Sequence, residues 1–290
     1  MLLKKVIQRI IDYGQMIKFS HSIFALPFAL SAAILANDTA PLTAEKLLWI
    51  VLAMVSARSA AMGFNRLIDR HYDAANPRTR MRHLPAGKIK SSEVATFVIV
   101  SSLIFIFASY QLNLLCFALS PVALFIIFFY SYTKRFTAFS HYVLGLALGI
   151  SPVGAWLAIT GAFALPPIIL GLAVVFWVAG FDILYALQDY DFDRQYDLYS
   201  IPRLVGPARA LWIARLSHTL AFALLFSLWV LLNLHFIYVL GLILIAGLLS
   251  YEHSLVSPHD LSRLDMAFFN MNGVISVIFF LTILGDYFLL

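Results

Sequence analysis

Nine apolar runs, each roughly the length a helix needs to cross a lipid bilayer, follow one another along this chain. They fall at about 22–37, 46–66, 94–110, 113–131, 141–160, 167–189, 209–232, 235–250 and 267–288. A crossing takes roughly 20 apolar residues, and in lipid every backbone polar group must be satisfied within the segment, which favours helices. A water-soluble alternative fails on charge. Only 12% of the residues are charged, against about 25% in a soluble domain, and the mean hydropathy is +0.88. The pattern predicts an all-α, polytopic membrane protein with nine transmembrane helices. No linker or low-complexity segment divides the chain, so residues 1–290 are expected to form one membrane-embedded domain. The start, MLLKKVIQRIIDYGQMIKFSH, is basic and amphipathic and has no small-residue cleavage pattern. It predicts an interfacial helix over residues 1–20 rather than a removable signal peptide. The single cysteine, Cys116, lies in an apolar run and excludes a disulfide framework or a cysteine-based metal site.

The breaks between runs alternate in character. ANDTAPLTAE, QLN, TGAFALPP and NLH are short and nearly free of cations, whereas the breaks on the other side are longer and basic. Of the 20 Lys and Arg residues, 18 fall on that second side; Lys46 is opposite and Arg58 lies inside a run. The positive-inside rule then places the N-terminus and the basic loops in the cytoplasm and the C-terminus outside. A basic rim beside anionic lipid accounts for the pI of about 9.3 without any nucleic-acid partner.

Two of the cytoplasmic breaks carry chemistry. Residues 65–87 read NRLIDRHYDAANPRTRMRHLPAG, so that the second run ends in N65-x-x-x-D69-x-x-x-D73. The sixth run ends in D189-x-x-x-D193-x-x-x-D197, four spans later and on the same membrane side, a weak echo that fits a parallel repeat. Spacing of four stacks side chains on one helical face. Asp182 lies two turns before Asp189, roughly 10 Å deeper at the helical rise, and an acid within a span marks a functional site by default. Oxygen-rich sites of this kind suit Mg²⁺ shared with phosphate oxygens. The interleaved Arg66, Arg70, Arg78, Arg80 and Arg82 suit the phosphate itself, because guanidinium groups grip such oxygens in pairs. One charged loop is accounted for as a solvated helix end; two with the same spacing on the same face point to a metal-bound diphosphate.

These stretches resemble the signatures of the intramembrane aromatic prenyltransferases, the 4-hydroxybenzoate polyprenyltransferase-like family. N-x-x-x-D-x-x-x-D followed by RTRMRHLPAG looks like its first signature, and FDILYALQDYDFDRQYDLYSIP (181–202) is similar to its second. YSYTKRFTAFSHYVLG (130–145) resembles a third recurrent segment opening span 5. Order, spacing and nine-span architecture agree over essentially the whole chain. The resemblance implies nine helices around a central cavity open to lipid, with Asp69, Asp73, Asp189 and Asp193 holding Mg²⁺ against a polyprenyl diphosphate. Asn65 belongs to the first motif, and Asp182 and Tyr185 open the second. Arg78, Arg82, Lys134 and Arg135 match basic positions near the diphosphate or the acceptor. Two departures stand out: the family often has Arg-Pro-Leu where this chain has Arg82-His83-Leu84, and Asp191 and Asp197 are extra acids without an assigned metal.

The implied reaction is alkylation of an electron-rich aromatic acid by an allylic cation, in a cavity that excludes water. The N-terminal MIKFSHSIFALPFAL resembles a bacterial branch labelled 4-hydroxybenzoate polyprenyltransferase; the resemblance implies an enzyme of the plasma (inner) membrane, and the loop charges predict that its site faces the cytoplasm. A dihydroxynaphthoate acceptor for menaquinone is the alternative within the same chemistry. Either acceptor bears a carboxylate, for which Lys18 is the candidate partner; an interfacial lysine reaching for headgroups is the competing account. A secondary transporter would also explain many spans and a weak repeat, although such proteins gather polar groups near the midplane. A phospholipid alcohol-phosphotransferase needs a D-G-x-x-A-R pattern that is missing. His21, His71, His83 and His141 lack metal-ligand spacing and read as interfacial hydrogen-bonding groups. YEHSLVSPHDLSRLD (251–265) reads as a solvated loop.

Overall fold

The structure, a computed structural model, describes residues 2–289. An amphipathic helix α1 (Leu2–Met16) runs first, and a 3-10 turn over Phe19–Phe24 leads into α2 (Leu26–Ala36). Then come α3 (Ala44–Ala75), α4 (Ser91–Leu112), α5 (Leu114–Thr133) and α6 (Ser140–Thr160). Helix α7 (Leu165–Ala186) passes through a 3-10 turn at Leu187–Asp189 into the short α8 (Tyr190–Gln195) and α9 (Ile201–Val205). Helices α10 (Pro207–Leu232) and α11 (Phe236–Ser254) follow, and a π-helical turn over Met266–Met271 opens α12 (Asn272–Leu289). Among the described residues nine helices are long and apolar enough to cross a membrane.

Local chemistry sets the helix ends. The Thr43 side chain accepts the Lys46 N–H at the start of α3, and Asn113 accepts the Cys116 N–H at the start of α5, satisfying donors that the helix cannot. Proline stands in the first turn of α2, α7, α9 and α10, where its missing N–H costs nothing. Gly161 ends α6 in the left-handed region, at φ 69°.

Helices α2 and α7 occupy the middle, joined by Phe24, Phe28, Trp177, Phe181 and Phe279. On the outside, Leu103, Phe107, Leu114 and Phe125 are more than half exposed, as suits a lipid-facing surface. The tightest helix pair is α6 with α7. A Cβ at Gly145 would lie 2.3 Å from the Val175 carbonyl oxygen, and one at Gly149 would lie 2.6 Å from that of Gly171. The two backbones therefore touch, in the small-xxx-small manner of helices packing within lipid.

Three boundaries differ from the sequence reading. The interfacial helix expected over 1–20 stops at Met16, because Lys18 adopts φ 48°, ψ 61° and turns the chain toward the bundle. The second span, expected to end near residue 66, continues as one helix to Ala75 and carries the whole first motif. The second motif is broken by the 3-10 turn, and α8 ends at Gln195. Asp197 then sits at φ 53°, its carboxylate 91% exposed and bound by Arg203 at 2.8 Å. The echo between the two motifs thus holds for two acids of the second triplet and not for the third.

Candidate functional site

The ends of α3 and α7 enclose a cavity of about 260 Å³ together with the loop after α3, the α5–α6 link, the Phe19–Phe24 turn and the π-helical turn. Eleven of the twelve candidate residues line it: Lys18, Asn65, Asp69, Asp73, Arg78, Arg82, Lys134, Asp182, Tyr185, Asp189 and Asp193. The twelfth, Arg135, reaches the cavity through Asp69.

Each acid of the first motif is buried and held by cations. Asp69, 4% exposed, accepts from Lys134 Nζ at 2.7 Å, Arg135 Nη2 at 3.0 Å and Asn65 Nδ2 at 3.0 Å. Arg135 also lies over the rings of Tyr72 and Tyr132, at 5.2 and 5.5 Å, which fixes its plane. Asp73 accepts from Arg82 Nη1 at 2.7 Å and has Arg66 at 4.0 Å, while its buried Oδ2 has no hydrogen-bond partner. Across the cavity Asp189 is gripped by the Arg78 fork and accepts from Asn76 Nδ2 at 2.9 Å. Arg78 also donates to the Tyr185 hydroxyl at 2.8 Å, and Tyr185 stacks on Phe268 at 4.1 Å. Burial works against the charge on Arg78, but the hydrogen bonds and charge of Asp189 more than offset it and raise its pKa. Arg82 reaches Asp73 with His83 as its neighbour, at the position where the resemblance predicts proline. Of the five arginines in the loop region, Arg66, Arg78 and Arg82 line the cavity, whereas Arg70 and Arg80 are exposed on the outside.

Asp182 lies inward of these pairs. Its Oδ2 is 2.7 Å from His141 Nδ1, and His141 Nε2 accepts the Ile201 N–H at 3.3 Å. Two cations of the cavity, Lys18 and Arg58, have no acid within ion-pair distance among the described residues, and the buried Arg58 Nε has no partner. Burial, with the charges of Arg66, Arg82 and Arg78 added to it, lowers the Lys18 ammonium to about 8.

Among the described residues no three His, Cys, Asp or Glu side chains converge to hold a metal alone. The donor set nevertheless fits Mg²⁺ that shares its shell with a phosphate: it is all oxygen, and Asp73 Oδ2 is buried with its bonding capacity unused.

The sequence reading did not place four of these groups as the structure does. Arg58 carried a readable signal, a cation inside a span. Arg66 was read with the other arginines as suited to phosphate, without its approach to Asp73. Asn76 follows the helix end and looked like loop punctuation, and His141 gave no sign of its partner 41 residues away.

Residues 25–274 match the profile of the UbiA prenyltransferase family. The 4-hydroxybenzoate octaprenyltransferase of Nitrosospira multiformis is 31% identical over 275 residues, 94% of either chain. That of Methylobacillus flagellatus is 33% identical over 240 residues, 82% of this chain and 80% of the relative. Among solved structures, a UbiA homolog from Aeropyrum pernix K1 superposes with a TM-score of 0.84 at 32% identity, over 92% of this chain and 98% of that one. A UbiA homolog from Archaeoglobus fulgidus bound to DMAPP and Mg²⁺ shares the fold, with a TM-score of 0.71 at 19% identity over 96% of this chain and 100% of that one.

Proposed function

The chain belongs to the UbiA prenyltransferase family, and on that premise we propose that it transfers a polyprenyl group from an allylic polyprenyl diphosphate to 4-hydroxybenzoate. The reaction would run at the cytoplasmic face of a bacterial inner membrane and serve respiratory quinone synthesis. The names of the curated relatives support the acceptor, and the concentration of cations on one set of loops supports the orientation.

The observation that carries the reading is the interlocking of acids and cations around the cavity. Asp69 with Lys134 and Arg135, Asp73 with Arg82, and Asp189 with Arg78 are ion pairs, with Asp69 and Asp73 buried and their cations partly exposed to the cavity. A metal diphosphate brings an anion for each cation and a cation for each acid. The pairs can be traded for it without stranding a buried charge, which would be costly. Asp69, Asp73, Asp189 and Asp193 would hold Mg²⁺, which supplies charge neutralisation on the departing diphosphate. Arg78, Arg82 and Lys134 turn to the phosphate oxygens, where they stabilise the charge that builds as the leaving group departs. Further in, Phe24, Leu144, Leu148, Val178, Phe181 and Phe268 line the cavity and keep water from the allylic carbon. The tyrosine and phenylalanine faces there also favour a developing cation. Lys18 and Arg58, with no acid within ion-pair distance among the described residues, hold the carboxylate of the acceptor and so present its ring to the prenyl group.

Product formation by the purified protein tests this. Supplied with an allylic polyprenyl diphosphate, Mg²⁺ and a panel of aromatic acids, it is expected to yield prenylated 4-hydroxybenzoate, and EDTA is expected to abolish the product. A product from a dihydroxynaphthoate alone would move the acceptor and keep the chemistry. No alkylated ring from any acid, together with substrate-coupled ion flux in proteoliposomes, would replace the enzyme with a transporter.

A further inference from the structure

Building on that prenyl-transfer reading, we infer that Asp182 is the base that removes the ring proton, held in place and in the right charge state by His141. The hydrogen bonds fix the protonation pattern. The Ile201 N–H can only donate, so His141 Nε2, 3.3 Å away, carries a lone pair. The ring proton therefore sits on Nδ1 and is donated to Asp182 Oδ2 at 2.7 Å. The imidazole is neutral, and it orients the carboxylate without cancelling its charge. The other Asp182 oxygen, Oδ1, makes no hydrogen bond among the described residues, and the side chain is 19% exposed, into the cavity.

This sets Asp182 apart from the ion-paired acids; Asp193 also lacks an ion pair among the described residues, but it lies on α8, beyond Asp189. Asp69, Asp73 and Asp189 face arginine or lysine, so their charge is matched. The charge of Asp182 is not, and it lies two helical turns inward of Asp189, roughly 10 Å along the axis. That is the side on which the allylic carbon and the acceptor ring must lie when the diphosphate occupies the ion-paired rim. His141 is 3% exposed, and among the described residues its one side-chain hydrogen-bond partner is Asp182, so its contact with the chemistry runs through that carboxylate.

The step balances as follows. The allylic C–O bond breaks with its electron pair going to the diphosphate. A ring carbon ortho to the phenol attacks the allylic carbon, leaving a positively charged ring that the unmatched carboxylate stabilises. The proton on that ring carbon passes to Asp182 Oδ1, the C–H electrons restore aromaticity, and the proton departs with the released diphosphate.

Electrophilic substitution on a ring normally shows no ring-deuterium isotope effect, because proton loss is fast once the new bond has formed. The test uses full-length protein in detergent with Mg²⁺, an allylic diphosphate, and 4-hydroxybenzoate either protiated or deuterated on the ring. In the wild type the two acceptors are expected to react at equal rates. In Asp182→Asn, kcat is expected to fall about 100-fold, the scale of losing a positioned base, while KM for the diphosphate holds. Diphosphate release should continue, uncoupled from ring product, and any residual ring product should form more slowly from the deuterated acid. His141→Ala should give a smaller loss with the same isotope effect, and His141→Asn, which keeps a donor for Asp182, should restore much of the rate. Equal rates for both acceptors in the His141→Ala variant, or diphosphate release falling in step with ring product in Asp182→Asn, would overturn the assignment. A wild type that alkylates no aromatic acid would instead sink the functional reading itself.

Discussion

Asp73 and Asp286 are acids buried at opposite ends of the same helix bundle, 6% and 2% exposed, and they are used in opposite ways. Asp286, on α12, has both oxygens committed to backbone: Oδ2 accepts the His235 N–H at 2.9 Å and Oδ1 the Tyr238 N–H at 3.0 Å. It closes the start of α11, where helix donors would otherwise lack partners. Asp73 spends one oxygen on Arg82 and leaves the other buried and unbonded. The rest of each end follows suit. Away from the site, Asn37, Lys46 and Asn113 stitch helix termini to one another, to the Tyr287 hydroxyl and to the Ile159 and Leu157 carbonyls. At the site, cations meet acids that could be exchanged for other partners. Burial of charge alone does not mark function here: one buried acid is committed to a helix end, the other keeps an oxygen unbonded inside a cavity of cations.

That contrast can be broken at either end. The largest effect is expected from Asp73→Ala, with kcat falling roughly 100-fold or more, the scale of removing one electrostatic stabiliser from an active site, while the protein stays folded. Normal turnover would remove Asp73 from the metal-holding set. Next, Arg78→Ala should weaken diphosphate binding by about 1.5–3 kcal/mol, tenfold or more in KM, as befits loss of charged hydrogen bonds. Asp286→Ala should do the reverse of Asp73→Ala, lowering unfolding stability by about 1–3 kcal/mol through stranded backbone donors with kcat unchanged. A fall in kcat at intact stability would contradict the purely structural role.

The smallest effect is a pH dependence. Lys18 titrates near 8, so it is charged below that pH and neutral above it. KM for the aromatic acid should be flat at lower pH and rise as pH passes 8, and Lys18→Arg, which stays charged, should flatten the rise. The same upward bend in both proteins would place the acceptor carboxylate on Arg58 alone.

Span number, the polarity of loops and both acid motifs were legible in the sequence because each depends on short-range spacing. Asp69 and Asp73 kept their helical register since α3 runs unbroken through them. Asp197 did not, because the end of α8 and a left-handed residue are decided by tertiary contacts such as the one with Arg203. The pairing of Lys134 with Asp69, 65 residues apart, and of His141 with Asp182 could not be read at all. They depend on which helices lie side by side, and periodicity carries no information about neighbours. Arg58 was visible as an anomaly, but its meaning needed the cavity around it.

The contact of α6 and α7 through Gly145, Gly149 and Gly171 has a mechanical consequence. Where carbonyl oxygens already touch the facing helix, there is no side chain to reorient and no gap to close. The two helices then behave as one stiff wall, with His141 on one and Asp182 on the other, and their 2.7 Å spacing is set by backbone dimensions. Any tightening of the cavity around a substrate must come from the opposite wall, from the turn at Lys18 and the loop that carries Arg78 and Arg82. The enzyme's fixed wall and the segments left free to adjust to a substrate are therefore different parts of the chain.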